Sequence, residues 1–269
     1  MSGGQKDLLI SRLDDTVKRS ERGEVAFTVF LSPAELSVAK GHLCRCGLNG
    51  LFFIRGGYDG ADRARLFCIP DYMYGACKDG ELIEPCDFEE LEEVVSDAIA
   101  VLEIRGSGYR ELTHKDYLGS ILALGLERDA LGDVALTDKY SALVVTSRKI
   151  ADFLSDELSR VASDVVKARI LSPDEVPKVH REIKEISDTV ASARLDCIIS
   201  ALTGMSRESA QSAIKSGLVQ VDYLPADSPD RQVLAPSVIV VRGHGKFILR
   251  QFAGETKKGR LRIVAGKYI

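Results

Sequence analysis

The chain has 269 residues, 45% hydrophobic, 28% charged and 6% aromatic, and 36 Lys and Arg against 40 Asp and Glu leave a formal net charge of −4. That length excludes a single small stapled module, and Leu, Ile and Val spread along the sequence exclude disorder as the main state. No apolar run approaches the roughly 18 residues of a spanning helix, and the first residues lack the basic-then-apolar order of a leader, so a cytoplasmic protein without a membrane partner is expected.

Residues 7–19 carry Leu9, Ile10, Leu13 and Val17 at helical spacing and predict an amphipathic helix. A strand is expected over 24–31. Ser32-Pro33-Ala34-Glu35 then opens a helix to about Cys46: Ser32 caps free amides, Pro33 suits the first helical position and Glu35 closes a capping box. Residues 51–55 and 65–69 read as a hairpin around Gly56-Gly57-Tyr58-Asp59-Gly60-Ala61-Asp62, which lacks the Gly-Lys-Ser/Thr ending of a P-loop and so predicts a turn rather than a nucleotide site. Cys44, Cys46, Cys68, Cys77 and Cys86 fall in the first third, with Cys197 apart. A metal set of His42, Cys44, Cys46 and a later Cys is disfavoured, because one residue separates the paired cysteines where zinc pairs use two to four. Reduced thiols are expected, with no metal and no cofactor.

The polar, acidic stretch 78–93, interrupted by Pro85, marks a first boundary. Strand 98–105, helix 114–124, strands 134–136 and 142–146, helix 147–158 and strand 164–171 follow, the βαββαβ order of a ferredoxin-like plait shared with RNA-recognition modules. Val101, Leu102, Val144 and Val145 stand where such modules place stacking aromatics, so base stacking on this sheet is not expected. His114-Lys115-Asp116-Tyr117-Leu118-Gly119 reads as a helix N-terminus with Tyr117 buried. Ser172-Pro173-Asp174-Glu175-Val176-Pro177 is the second boundary, and 178–187 reads as a connecting helix.

The charge is uneven. Residues 187–269 hold 12 Lys and Arg against 7 Asp and Glu, a balance of +5, so the preceding residues carry −9. In the last 28 residues Arg242, Lys246, Arg250, Lys257, Lys258, Arg260, Arg262 and Lys267 face Glu255 alone, a composition that attracts a phosphate backbone. Ahead of them, 194–202 reads as a short helix stopped by Gly204, and Ser206 caps a second helix through about Lys215. That helix presents free amides beside Arg207, a ready phosphate site. Residues 218–221 alternate as a strand.

Arg194-Leu195-Asp196, Ser206-Arg207, Ala210, Ile214, Gly217, Val219 and Val221 resemble the S4 RNA-binding domain. Two departures fall in loops: Asp222-Tyr223 and a longer loop to Val233 replace the usual Asn-Gly turn, and Pro236-Ser237 replaces Gly-Asp. Ser32-Pro33-Ala34-Glu35, Gly56-Gly57-Tyr58 with Ala61-Asp62-Arg63, the 114–119 cluster and Arg242-Gly243-His244-Gly245-Lys246-Phe247 are similar to motifs of the YlmH family, three-domain bacterial proteins ending in an S4 domain. The resemblance implies an α+β chain with an N-terminal α/β domain over 1–77, a ferredoxin-like, RRM-like domain over 78–172 and an S4 domain over 187–269. It also implies ribosomal RNA and the large ribosomal subunit as partners of a monomer, with tRNA as a further partner, in rescue of stalled translation.

The enzyme alternative finds little support. Asp196 lies in the S4-like helix rather than in a pseudouridine synthase domain, Gly106-Ser107-Gly108 stops short of a methyltransferase cofactor loop, and His42, His114, His180 and His244 form no relay with a nucleophile. A cell-division scaffold built on the acidic front is the third reading. The expected RNA-binding residues are Arg194, Ser206, Arg207 and Lys215, with Arg242, Lys246, Lys257, Lys258 and Arg260 widening the footprint, and none catalytic. Gly243 and Gly245 are expected to turn the backbone tightly between Arg242 and Lys246.

Overall fold

The computed structural model describes residues 3–83, 88–179 and 183–268, so Pro85, Cys86 and His180 lie outside the described residues. The chain divides into two compact units, residues 1–179 and 180–269.

In the first unit, α1 (Gly3–Ser20) and α2 (Pro33–Arg45) lie on one face of a small antiparallel sheet of β1 (Ala26–Phe27), β2 (Phe52–Arg55) and β3 (Arg65–Cys68), in the order β1-β3-β2. Both predicted halves of the capping box at Ser32 and Glu35 form. Alternation along the strands sends Phe52, Leu66 and Cys68 toward Leu9, Leu13, Ala39 and Leu43, and Phe53 and Phe67 to the opposite face, where their rings stack at 4.8 Å. The strand expected over 24–31 shrinks to two residues plus a bridge at Leu31, because Thr28 turns its hydroxyl to accept from the Leu66 amide and interrupts the ladder. The stretch expected as a boundary holds the hairpin of β4 (Cys77–Lys78) and β5 (Glu81–Leu82) and then α3 (Glu89–Ala98), whose Leu91 and Ala98 reach the Phe53–Phe67 core.

The remaining elements are β6 (Ala100–Gly106), α4 (His114–Leu122), β7 (Leu131–Leu136), β8 (Ser141–Thr146), α5 (Arg148–Glu157), β9 (Arg160–Val161) and β10 (Asp164–Leu171). They form an antiparallel sheet in the order β7-β8-β6-β10-β9, the strand arrangement of the expected plait with one short added edge strand. Leu102, Ile104, Ala142 and Val144 pack beneath the two helices with Tyr117, Ile121, Ala151 and Leu154. Burial pushes the Tyr117 phenol up to about 12.

The opposite face of the plait changes one sequence expectation. Of the four residues placed where aromatics would stack, Leu102 and Val144 point to the helices, and only Val101 and Val145 lie on the open face. There they are covered by Phe30 and partly by Tyr58. The glycine-rich loop makes this possible, and Asp133 fastens it: its carboxylate accepts from the Tyr58 hydroxyl (2.9 Å) and from the Asp62 and Arg63 amides (2.7 and 3.0 Å). The Arg63 guanidinium donates to the Leu131 and Phe30 carbonyls. A Cβ on Gly57 would meet Val145 Cγ2 at 2.5 Å. Gly57→Ala is therefore expected to destabilise the first unit by about 1–3 kcal/mol through overpacking, read as a lowered midpoint in thermal unfolding of the full chain.

The second unit is a six-stranded antiparallel sheet with two helices on one face. Its elements are β11 (Ile183–Val190), α6 (Leu195–Thr203), α7 (Arg207–Lys215), β12 (Val219–Val221), β13 (Leu224–Pro225), β14 (Ser237–Val241), β15 (Gly245–Glu255) and β16 (Leu261–Tyr268), with sheet order β11-β16-β15-β14-β12-β13. The connecting helix expected over 178–187 is instead the edge strand β11 from Ile183, paired with β16 along its whole length. Its charged residues are those of an exposed edge, while Ile186 and Val190 turn inward. Asp222 and Tyr223 both have positive φ (51° and 64°) and close a two-residue turn between β12 and β13, so the tight turn survives without its usual Asn-Gly. The Asp222 carboxylate supports it by accepting from the Val238 amide at 2.8 Å. The turn expected before Lys246 is present, with Gly243 and Gly245 at φ 84° and 123°.

Candidate nucleic-acid interface

The corner where α6 meets α7 is built by short-range rules. Leu195, Ile198, Ile199 and Leu202 form the inward face of α6, and Gly204 ends the helix in the left-handed conformation (φ 75°). Ser206 caps α7 by accepting from the Ser209 amide at 3.1 Å, which leaves Arg207 as the first helical residue. Ala210 and Ile214 then seat α7 in the core.

At the centre of this corner lies Asp196, with no exposed surface. Its carboxylate accepts two hydrogen bonds from Arg194 (both 3.1 Å), one from Arg207 Nε (3.0 Å), one from Gln211 Nε2 (2.8 Å) and one from the Cys197 amide (2.9 Å). The side chains of Arg194 and Arg207 remain 33% and 51% exposed. One buried anion thus holds two guanidiniums in fixed orientation with donors still facing water, an arrangement suited to phosphate. Burial alone would raise the Asp196 pKa; the hydrogen bonds from Arg194, Gln211 and Arg207 override it and hold the carboxyl well below the usual carboxylate range.

Because the folded carboxyl titrates below its unfolded value of about 3.9, its stabilisation is complete above that value and fades as pH falls toward the folded pKa. Unfolding of the full chain between pH 5 and about 2 is expected to show a smaller acid-dependent loss of stability in Asp196→Asn than in the wild type.

The structure separates the predicted residues into groups. Arg194 and Arg207 meet on Asp196, and Ser206 precedes Arg207 at the start of α7. Lys215 is exposed at the other end of α7, about 12 Å away by helix rise. Exposed Arg242 lies at that end, its amide bonded to the Leu218 carbonyl. Lys246 is half-buried near the start of β15. Lys257, Lys258 and Arg260 belong to the turn beyond its other end, after roughly 30 Å of strand. The sequence grouped these cations into one patch, and the eleven residues of β15 pull them apart. Arg260 donates to the Thr189 hydroxyl and carbonyl, five residues ahead of Arg194, so this turn lies where β11 leads into α6.

Two members of the corner were not singled out from sequence. Gln211 faces Asp196 one turn after Arg207, a spacing visible in the sequence once Asp196 is known to be buried. Arg231 reaches the start of α6 through a long loop: its carbonyl accepts from the Leu195 amide and the next residue, Gln232, bridges Arg194. No local signal announces that contact.

Elsewhere, His42 pairs with Asp14 at 2.8 Å, and Cys44 and Cys46 are exposed thiols. Among the described residues no group of three His, Cys, Asp or Glu side chains is placed to hold a metal ion, and no helix is long and apolar enough to cross a membrane.

The chain is similar to known proteins in sequence and in structure. A family model described as "Putative RNA-binding domain in YlmH" matches residues 96–172, the plait. The chain is 29% identical over 246 residues to the Bacillus subtilis (strain 168) "Ribosome-associated protein quality control protein P2", covering 90% of this chain and 87% of that protein. Among solved structures, "Cell division protein ylmH from Streptococcus pneumoniae" aligns at 17% identity with a TM-score of 0.48, over 66% of this chain and 98% of that one. With a domain described for YlmH matched in its middle and a relative aligned along nine-tenths of its length, the chain is similar to YlmH proteins along most of its sequence.

Proposed function

We propose that this chain is a non-catalytic RNA-binding protein that engages ribosomal RNA on the large ribosomal subunit, in company with peptidyl-tRNA, during quality control of stalled translation. The relative's name and the matched plait support ribosome association and RNA binding. The observation that carries the site is Asp196: a fully buried carboxylate whose two arginine partners stay half-open to solvent is built to present guanidiniums. In this reading the second unit is an S4 domain, Arg194, Ser206, Arg207 and Lys215 grip backbone phosphates, and Arg242, Lys246, Lys257, Lys258 and Arg260 hold the RNA further out.

If about six phosphates are engaged, the logarithm of the association constant falls by about four to five per tenfold rise in salt. Sedimentation of the full chain with purified large subunits across a salt series measures that slope, and a flat profile contradicts the proposal. A modified nucleotide lost from ribosomal RNA of a deletion strain and restored by this protein would replace it with the enzyme reading.

A further inference from the structure

Phe247 and Leu249 point into the helix-side core, so Lys246 between Gly245 and Phe247 leaves β15 on the opposite face of the sheet. Its ammonium lies 5.0 Å from the Tyr223 ring centroid and 4.8 Å from that of Tyr268. The three come from separate places. The Phe247–Lys267 pair sets Tyr268 beside Lys246 on β16, and Tyr223 reaches in from the turn between β12 and β13. All three side chains are half-buried, and Val238, Val240 and Ile248 continue the face as a partly exposed apolar floor. Tyr223 holds a positive φ of 64°, which Gly or Asn adopts at lower cost, so the turn itself does not call for an aromatic ring here.

Two rings on either side of an ammonium, beside an apolar floor, match what single-stranded nucleic acid requires: flat faces for a base and a cation for its phosphate. We propose that Tyr223, Lys246 and Tyr268 form a stacking site for an unpaired base of the bound RNA, with the ammonium moving to the adjoining phosphate as the base enters. The site rests on the RNA-binding reading above and adds contact with bases, on the other face of the sheet, to the phosphate contacts proposed for the helix corner. Stacking on an aromatic ring is worth roughly fivefold to a hundredfold in affinity per base. A cation–π contact is worth about two- to fivefold where exposed and more where half-buried, so the base displaces the lysine from the rings only with its phosphate taking up the ammonium.

The chain has eight tyrosines and no tryptophan, so its emission is tyrosine emission, and the part of the quenching that the Tyr223 and Tyr268 variants lose reports on stacking. The experiment titrates the full chain with an unstructured ten-nucleotide RNA and with the same backbone made abasic at its central positions. The wild type is expected to bind the intact RNA at least about fivefold tighter than the abasic one, with quenched tyrosine emission. Tyr223→Leu and Tyr268→Leu are each expected to lose that preference, while Tyr223→Phe and Tyr268→Phe keep it and show that the ring rather than the hydroxyl is used. Equal wild-type affinity for intact and abasic RNA, or Leu variants that keep the preference, overturns the site. The abasic probe needs no variant, so a misfolded substitution cannot hide the answer. Failure here with salt-dependent subunit binding intact removes the stacking site alone; no RNA or subunit binding at low salt removes the RNA reading and this site with it.

Discussion

Replacing Asp196 by Ala is expected to destabilise the second unit by about 2–4 kcal/mol and to abolish tight RNA binding. The magnitude comes from what the carboxylate satisfies: five donors converge on it, from Arg194, Arg207, Gln211 and the Cys197 amide. Removing one partner of a fully buried ion pair costs about 3–5 kcal/mol when the other charge stays stranded. Here Arg194 and Arg207 are already part-exposed and can turn to water, which sets the expected cost at or below that range. Urea unfolding of the full chain reads the loss. Binding should fall even where the variant is mostly folded, because both guanidiniums lose the anion that fixes their direction. An Asp196→Ala variant with wild-type stability and affinity would show that the corner is neither a structural nor a recognition centre.

Arg207→Ala combined with Lys246→Ala is expected to weaken large-subunit binding by about tenfold or more while leaving folding intact, and to lower the salt slope by about two. The choice of residues follows from the structure. Arg207 is the more exposed partner of Asp196, and its loss leaves the two Arg194 hydrogen bonds in place. Arg194→Ala, by contrast, removes both of those bonds from the buried carboxylate, so its effect would mix stability with recognition. Lys246 lies in a half-buried position near the start of β15, apart from the helix corner, so the pair samples two parts of the proposed footprint. Unchanged sedimentation of the double variant would sink the assignment of both residues.

What the sequence could and could not reveal follows the range of the interactions. Local chemistry was legible: the capping box at Ser32, the caps at Ser206 and Gly204, the glycine turn before Lys246 and the short apolar run over 65–69 all depend on residues within a few positions. Long-range placement was not. The sequence places Asp196 only in the S4-like helix, yet its burial depends on Arg207 and Gln211, 11 and 15 residues on. The edge strand β11 was read as a helix because a charged edge lacks the alternation of a half-buried strand, and its partner β16 lies some 80 residues away. The −4 of the whole chain hid a basic second unit, and the structure then divides that basic charge between the ends of β15. The glycine-rich loop was read as a turn, and its packing against Val145 supplies the reason for its glycines.

In the proposed complex the second unit, through the Asp196 corner, touches ribosomal RNA. Ultraviolet cross-linking of the full chain to purified large ribosomal subunits, followed by mass spectrometry of the attached peptides, tests it most directly. RNA-linked peptides are expected from residues 194–215 and 242–262. Cross-links confined to residues 1–179, with none in the second unit, would contradict it.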